Sequence, residues 1–179
     1  ERNPDWSDWS VTVGPGPHTC GEWDRVRSST QQPPSSTGYY ALADSGGCGP
    51  GSLTSTILTS PPIDASVPGA VSVTLQYDIY YRYRDGDDAT IEVFDGGAWQ
   101  TVWTAPTGTA LGRHTLDVSA HAVGNPSFQV RFSYQNAAYD HWFAVDNVVV
   151  TANVGASCTT RSASVVTVPD GGEGGTEPM

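Results

Sequence analysis

Apolar and polar residues alternate with a period of two along much of this chain. In residues 71–84, the side chains of every second residue from Val71 to Tyr83 are apolar or aromatic, and those between them are polar except Tyr80. Residues 128–134 repeat the pattern, with Phe128, Val130 and Phe132 on one face. Period-two alternation is typical of half-buried strands, so both segments are predicted to be strands.

Shorter apolar segments separated by Gly- and Pro-rich turns are also predicted as strands. They cover residues 5–13, 22–26, 38–44, 53–59, 89–94, 99–105, 114–118 and 142–150. No window has a helical period of useful length. About ten short strands joined by such turns predict an all-β sandwich of antiparallel strands.

The composition changes after residue 154. Residues 155–167 are rich in Ser and Thr, and residues 169–179 are rich in Gly, Glu and Pro. Such composition is typical of linkers, so we predict one domain over residues 1–154 and a linker or tail over residues 155–179. Because the chain begins with Glu1, we expect it to be cut from a longer precursor.

The strand at 142–150 is apolar on both faces except at Asp146 and Asn147. Burying an unpaired carboxylate costs several kcal/mol or more, so Asp146 must have partners. It either binds a cation or accepts hydrogen bonds from loop amides. In both cases we expect Asp146 to be important for the stability of the fold.

The charge and the cysteines restrict the partners and the compartment. Nineteen acidic residues against 8 basic ones give a formal charge of −11, which excludes nucleic acid and anionic membrane surfaces as partners. No apolar run is long enough for membrane insertion. Cys20 and Cys48 lie in Gly-containing loops, and Cys158 lies in the tail. A bridge from Cys20 to Cys48 or to Cys158 would favour a secreted, extracellular protein.

Several segments occur in an order that resembles a MAM-like jelly roll, and more narrowly the bacterial "choice-of-anchor" domain. They are Gly-Tyr-Tyr-Ala-Leu-Ala-Asp at 38–44, Leu-Thr-Ser-Pro-Pro-Ile-Asp at 58–64, the long strand at 77–83, Asp-Ala-Thr-Ile-Glu-Val at 88–93, Gly-Ala-Trp at 97–99, Val-Arg-Phe at 130–132 and Trp-Phe-Ala-Val-Asp-Asn-Val at 142–148. The resemblance covers residues 6–152 and implies a jelly-roll β-sandwich of two antiparallel sheets.

The resemblance also implies a function: a non-catalytic accessory or recognition domain of a secreted bacterial protein. Its partner would be a parent enzyme domain, such as a protease, or a glycan or protein of a cell surface. Related jelly rolls carry a structural Ca²⁺ ion, and the matching ligands here would be Asp44 and Asp146, with Glu22 or Asp24 as a third. The cysteine pattern departs from animal MAM domains, so their adhesive dimerisation is not carried over.

A carbohydrate-binding module is the alternative. Such modules stack sugar rings on exposed aromatic side chains, and the candidates are Tyr80, Trp99 and Tyr139. Tyr80 lies on the polar face of the long strand, Trp99 begins a hairpin strand, and Tyr139 lies in the turn before the last strand.

A jelly-roll glycoside hydrolase is a further alternative. It needs two facing carboxylates, and Glu92 and Asp95 are the nearest pair. No Gly-x-Ser-x-Gly motif is present, and we expect no enzymatic activity. The loop at 85–88 resembles a calcium loop in composition only, and we predict a solvated hairpin tip there.

Overall fold

The computed structural model describes residues 8–27, 30–84 and 86–155, and these residues form ten strands. The strands are β1 Ser10–Val13, β2 Asp24–Arg27, β3 Tyr39–Asp44, β4 Thr54–Thr59, β5 Ala70–Arg82, β6 Asp88–Phe94, β7 Trp99–Thr104, β8 Ala110–Asp117, β9 Gln129–Ala137 and β10 Trp142–Val154. The predicted tail, apart from Gly155, lies outside the described residues, and so does Cys158.

The strands form two five-stranded sheets. The first sheet has the order β1-β4-β9-β6-β7 and the second has the order β2-β3-β10-β5-β8. Every strand pair is antiparallel. The predicted all-β architecture of two antiparallel sheets is therefore confirmed.

The predicted inward face of β5 forms the middle of the core. Val73, Leu75, Tyr77, Ile79 and Tyr81 are all buried between the sheets. The two ends of the predicted pattern differ, because Val71 is 66% exposed and Tyr83 follows the end of the strand. Alternation therefore predicts which face is inward but not where the facing sheet stops covering it.

Phe143 in β10 lies at the centre of an aromatic cluster that joins the sheets. Its ring centroid lies 5.3–6.4 Å from those of Trp23, Tyr81, Trp103, Phe132 and Tyr134. Most of these pairs are edge-to-face, an arrangement that aromatic rings favour. The cluster packs β10, the central strand of the second sheet, against the first sheet.

A polar network interrupts β10 on the outer side of the second sheet. The register with β5 shifts after Asp146, and Asn147 has a φ of +49°. Asn147 donates its side-chain amide to Asp78 Oδ2 at 2.7 Å, and Arg113 donates twice to the same carboxylate at 2.9 Å. Asp146 is buried and accepts the Asn147 backbone N–H at 2.8 Å. Asp146 therefore has a backbone amide as a hydrogen-bond donor, which is one of the two kinds of partner that the sequence predicts for it.

β9 and β10 extend a few residues beyond their predicted ends, and two other elements differ more from the sequence prediction. A single α-helical turn, α1 Ser119–Ala122, follows β8, and a turn this short leaves no detectable periodicity. β8 also begins at Ala110 rather than at residue 114, and it includes Gly112 with a φ of +109°. Its glycine and its exposed position at the sheet edge hide it from an alternation test. Among the described residues, no helix is long and apolar enough to cross a membrane.

Candidate functional site

One end of the second sheet carries a pocket of about 380 Å³. Asp44, Trp142 and Arg82 form a row across β3, β10 and β5 at this end. The loops after β3, after β5 and before β10 contribute most of the other residues of the pocket. The pocket is lined by Gln31, Asp44, Gly46, Gly47, Arg84, Tyr139, Asp140, His141 and Trp142.

Two aromatic side chains, Tyr139 and Trp142, line part of the site. Trp142 packs edge-on against Tyr80, with ring centroids 5.3 Å apart, and the Arg82 guanidinium lies 5.2 Å from the Trp142 ring. These groups extend a small outer cluster that includes the buried residues Tyr40, Leu42 and Ala144. Tyr139 is 36% exposed and lies in the pocket wall. The site therefore offers ring surface next to polar groups.

Hydrogen bonds hold the loops of the pocket against each other. Gly46 donates its N–H to His141 O at 3.0 Å, and Asp140 donates its N–H to Ser45 Oγ at 3.2 Å. A Cβ atom at Gly46 would lie 2.7 Å from Asp140 O, closer than real contacts allow. A glycine is required here because the two loops approach so closely.

A disulfide fixes one wall of the pocket. Cys20 is bonded to Cys48, with their Cα atoms 6.0 Å apart, so the pairing that the sequence left open is Cys20–Cys48. Cys48 ends a short 3₁₀ turn, Gly46–Cys48, whose glycines line the pocket. The bond therefore ties this wall to the segment before β2.

A buried carboxylate, Asp87, accepts the backbone N–H of the pocket residue Arg84 and lies in the loop that we predicted to be a solvated hairpin tip. That prediction is wrong for Asp87, which is 5% exposed and accepts hydrogen bonds from Tyr81 Oη at 2.9 Å and Tyr134 Oη at 3.0 Å. The long β5 and β9 bring both phenols to the loop, which turns Asp87 inward. Burial raises the pKa of Asp87, while the hydrogen bonds from the two tyrosines oppose the shift.

Replacing Asp87 by asparagine is expected to change the pH dependence of stability. Because the native pKa of Asp87 is raised, the native state binds the extra proton, and wild type should gain stability relative to Asp87→Asn as pH falls from about 7 to about 4. Asp117→Asn is the opposite control: hydrogen bonds from Ser119 lower the pKa of Asp117, so wild type should lose stability relative to this variant as pH falls below about 4, where an unfolded aspartate takes up its proton. Urea unfolding at each pH measures both, and a pH-independent Asp87 difference would contradict the burial.

Asp44 and Asp146, the two main predicted calcium ligands, lie apart. Asp146 is four residues beyond Trp142, the partner of Asp44, which places the two about 13 Å apart along β10. Asp44 accepts hydrogen bonds from Gly47 N–H at 2.9 Å and Gln31 Nε2 at 2.7 Å. Asp24 accepts the Arg25 N–H, and Glu22 lies 3.7 Å from His18 Nε2.

These positions do not form a common calcium site. Nor does any group of three or more His, Cys, Asp or Glu side chains suited to a metal ion occur within the described part of the chain. The four predicted ligands therefore do not fit a shared Ca²⁺ ion as they stand here, and calcium binding stays a prediction.

The predicted ligand-binding aromatics divide between the two sheets. Tyr139 lines the pocket and Tyr80 packs against its Trp142, so the structure brings these two together. Trp99 lies on the first sheet, where it packs against Phe94 at 5.4 Å and lies under the Arg131 guanidinium at 4.2 Å. It belongs to a separate surface.

The carboxylate pair considered for a hydrolase is held by protein donors. Arg131 donates twice to Glu92, at 2.8 and 2.9 Å. Asp95 accepts the N–H groups of Gly97 and Ala98 and the side-chain amide of Gln100, and these bonds lower its pKa. Both carboxylates therefore stabilise the first sheet and its hairpin.

Sequence reasoning missed several residues of the pocket. Trp142, Arg84 and Gln31 come from three segments that only the fold brings together. His141 also lines the pocket, and burial, followed by the positive charges of Arg82 and Arg84, lowers its pKa. The available signal was the dense polar and aromatic composition of residues 139–142 at the start of a strand.

Comparison with known proteins identifies the fold but not a family. No family model matches the chain, and no curated protein matches it. The resemblance to MAM-like and choice-of-anchor domains therefore stays a prediction.

Solved structures of similar shape are more informative. TmCBM61, solved in complex with β-1,4-galactotriose, has a TM-score of 0.57 at 13% identity, over 83% of this chain and 90% of its own. The K1 cleaved adhesin domain of Lys-gingipain from Porphyromonas gingivalis W83 has a TM-score of 0.54 at 14% identity, over 82% and 92%. The enzymatically active domain of bacteriophage CBA120 tailspike protein 4 has a TM-score of 0.54 at 13% identity, over 82% of this chain and 20% of that one. At such identities the likeness concerns the fold alone, and that fold is a jelly-roll β-sandwich.

Proposed function

We propose that this chain is a non-catalytic accessory domain of a secreted protein and that it binds a saccharide in the pocket beside Trp142. The observation that carries the proposal is the lining of the pocket. Two aromatic side chains lie next to carboxylate, amide and guanidinium groups in about 380 Å³. Ring surface with a few fixed polar groups is the composition that saccharide sites need, and the volume lies at the small end for ligand pockets.

Further observations support an accessory role outside the cell. The Cys20–Cys48 bond suits an oxidising compartment. The structural neighbours include a carbohydrate-binding module and an adhesin domain, and in the tailspike a similar fold forms a fifth of a larger chain. A parent enzyme domain and a cell-surface glycan are accordingly the proposed partners.

Replacing Trp142 tests the proposal. A glycan array that includes β-1,4-galacto-oligosaccharides identifies the saccharide, and titration calorimetry measures its affinity. Trp142→Ala removes the indole ring from the pocket lining. It is expected to weaken binding about tenfold or more, which corresponds to about 1.4 kcal/mol. Trp142→Phe keeps an aromatic face and should weaken binding less.

The matched control is Trp99→Ala, which removes a half-buried tryptophan from the other sheet. It should leave the affinity unchanged. An equal loss in the two alanine variants, or a loss in Trp99→Ala alone, would contradict the assignment of the site to the pocket. Failure of the wild type to bind any saccharide would contradict the function itself.

A further inference from the structure

The carboxylates of the pocket are turned toward protein donors. Asp44 accepts from Gly47 with one oxygen and from Gln31 with the other. Asp140 is only 4% exposed, accepts the Ala138 N–H at 2.5 Å, and has Oδ1 3.8 Å from Arg84 Nε. These donors occupy both oxygens of Asp44 and one oxygen of Asp140, and Arg84 balances the charge of Asp140.

The arginines beside the pocket keep N–H donors that the protein does not use. Arg84 is 54% exposed and donates one Nη1–H to Tyr139 O at 2.9 Å. A guanidinium carries five N–H donors, so most of those on Arg84 remain for water or a ligand. Arg82 is exposed beside the Trp142 ring. The charges of both arginines lower the pKa of His141, while those of Asp140 and Asp44 raise it, so all four groups lie near this side chain.

Two arginines and two aspartates balance each other beside the pocket, unlike the charges of the whole chain. The net charge is −11, yet two of its 8 arginines flank this one pocket. Charges farther away than about 8 Å are largely screened at physiological salt, so the field in the pocket is set by Arg82 and Arg84 together with Asp44 and Asp140. A densely charged polyanion would still be repelled by the remaining surface, whereas one carboxylate would not.

We propose that the saccharide bound here carries a carboxylate, as a uronic acid does, and that Arg82 and Arg84 bind it. This inference rests on the proposed saccharide function and specifies its ligand class. The pyranose ring would pack on Tyr139 and Trp142. A guanidinium matches a carboxylate with two parallel N–H donors, which gives a strong and directional contact.

Pairs of ligands that differ only at C6 test the inference. Methyl β-D-glucuronide is compared with methyl β-D-glucoside, and methyl α-D-galacturonide with methyl α-D-galactoside, by ligand-observed NMR titration. In one pair or both, the uronide should bind about tenfold more tightly than its neutral partner at low salt, since a charge-assisted hydrogen bond is lost in the neutral sugar. The ratio should fall as salt is added.

Arginine variants test which side chains bind the carboxylate of the ligand. In Arg84→Gln and Arg82→Gln the ratio of uronide to neutral affinity should fall toward one, more so in the double variant. Arg84→Gln leaves intact the backbone N–H that donates to Asp87. Arg27→Gln is the control. Arg27 is exposed and lies in β2 opposite Tyr39, at the end of β3 far from Asp44, so this variant should keep the wild-type ratio.

The outcomes separate the two proposals. Neutral glycosides that bind as tightly as the uronides, or a preference that survives the double variant, would overturn the carboxylate inference and leave the saccharide function standing. Binding of neither kind would overturn both. A salt-sensitive uronide preference lost in the arginine variants supports both.

Discussion

Replacing Phe143 by alanine is expected to lower the free energy of unfolding by about 3–5 kcal/mol. Phe143 is fully buried, and its ring contacts aromatic side chains from both sheets. The variant loses the transfer free energy of the ring and leaves a cavity between sheets that cannot collapse onto it, because Tyr81, Tyr134 and Trp103 are held by their own strands. Urea unfolding measures the loss.

Phe94→Ala is the matched control for this variant. Phe94 is half-buried on the outer side of the first sheet, where it packs against Trp99 alone among the described rings. Its removal should cost less, about 1–2 kcal/mol, since part of its surface stays in contact with water. Equal losses at the two positions would mean that Phe143 is not at the centre of the core.

The fold could be predicted from the sequence because its strands alternate strongly. Val73 to Tyr81 and Phe128 to Tyr134 point inward as their period of two requires. Ten strands with short turns then leave few architectures other than a sandwich. The pairing order could not be predicted, because alternation says which face of a strand is buried and not which strand lies beside it.

The candidate site was less accessible to sequence reasoning. Asp44 and Tyr139 were both named, but as a calcium ligand and a sugar platform at separate places, and the structure puts them in one pocket. Their meeting depends on the register of β3 with β10, which sets Asp44 opposite Trp142. Asp87 was misassigned for a related reason: its burial depends on two tyrosines that are 6 and 47 residues away along the chain.

Removing the disulfide is the second change with a large expected effect. The bond joins residues that are 28 positions apart in the sequence. From the entropy of closing a loop of this length, we expect the double variant Cys20→Ser with Cys48→Ser to have a free energy of unfolding about 3–4 kcal/mol lower than that of the protein with the bond. Urea unfolding in a Cys158→Ser background, which excludes exchange with the third thiol, measures this loss. If Cys158→Ser alone cost as much, the Cys20–Cys48 pairing would be wrong.

The same double variant separates stability from the shape of the pocket. Cys48 ends the turn that carries Gly46 and Gly47, and Cys48 Sγ also lies 3.4 Å from Asp44 O, so the pocket wall loses its covalent anchor. The Gly46–His141 hydrogen bond remains and should keep the wall in place part of the time. Saccharide affinity measured under conditions where the variant is fully folded should therefore fall, but by less than in Trp142→Ala. An unchanged affinity would show that hydrogen bonds alone hold the wall, and a complete loss would show that the disulfide is the main support of the site.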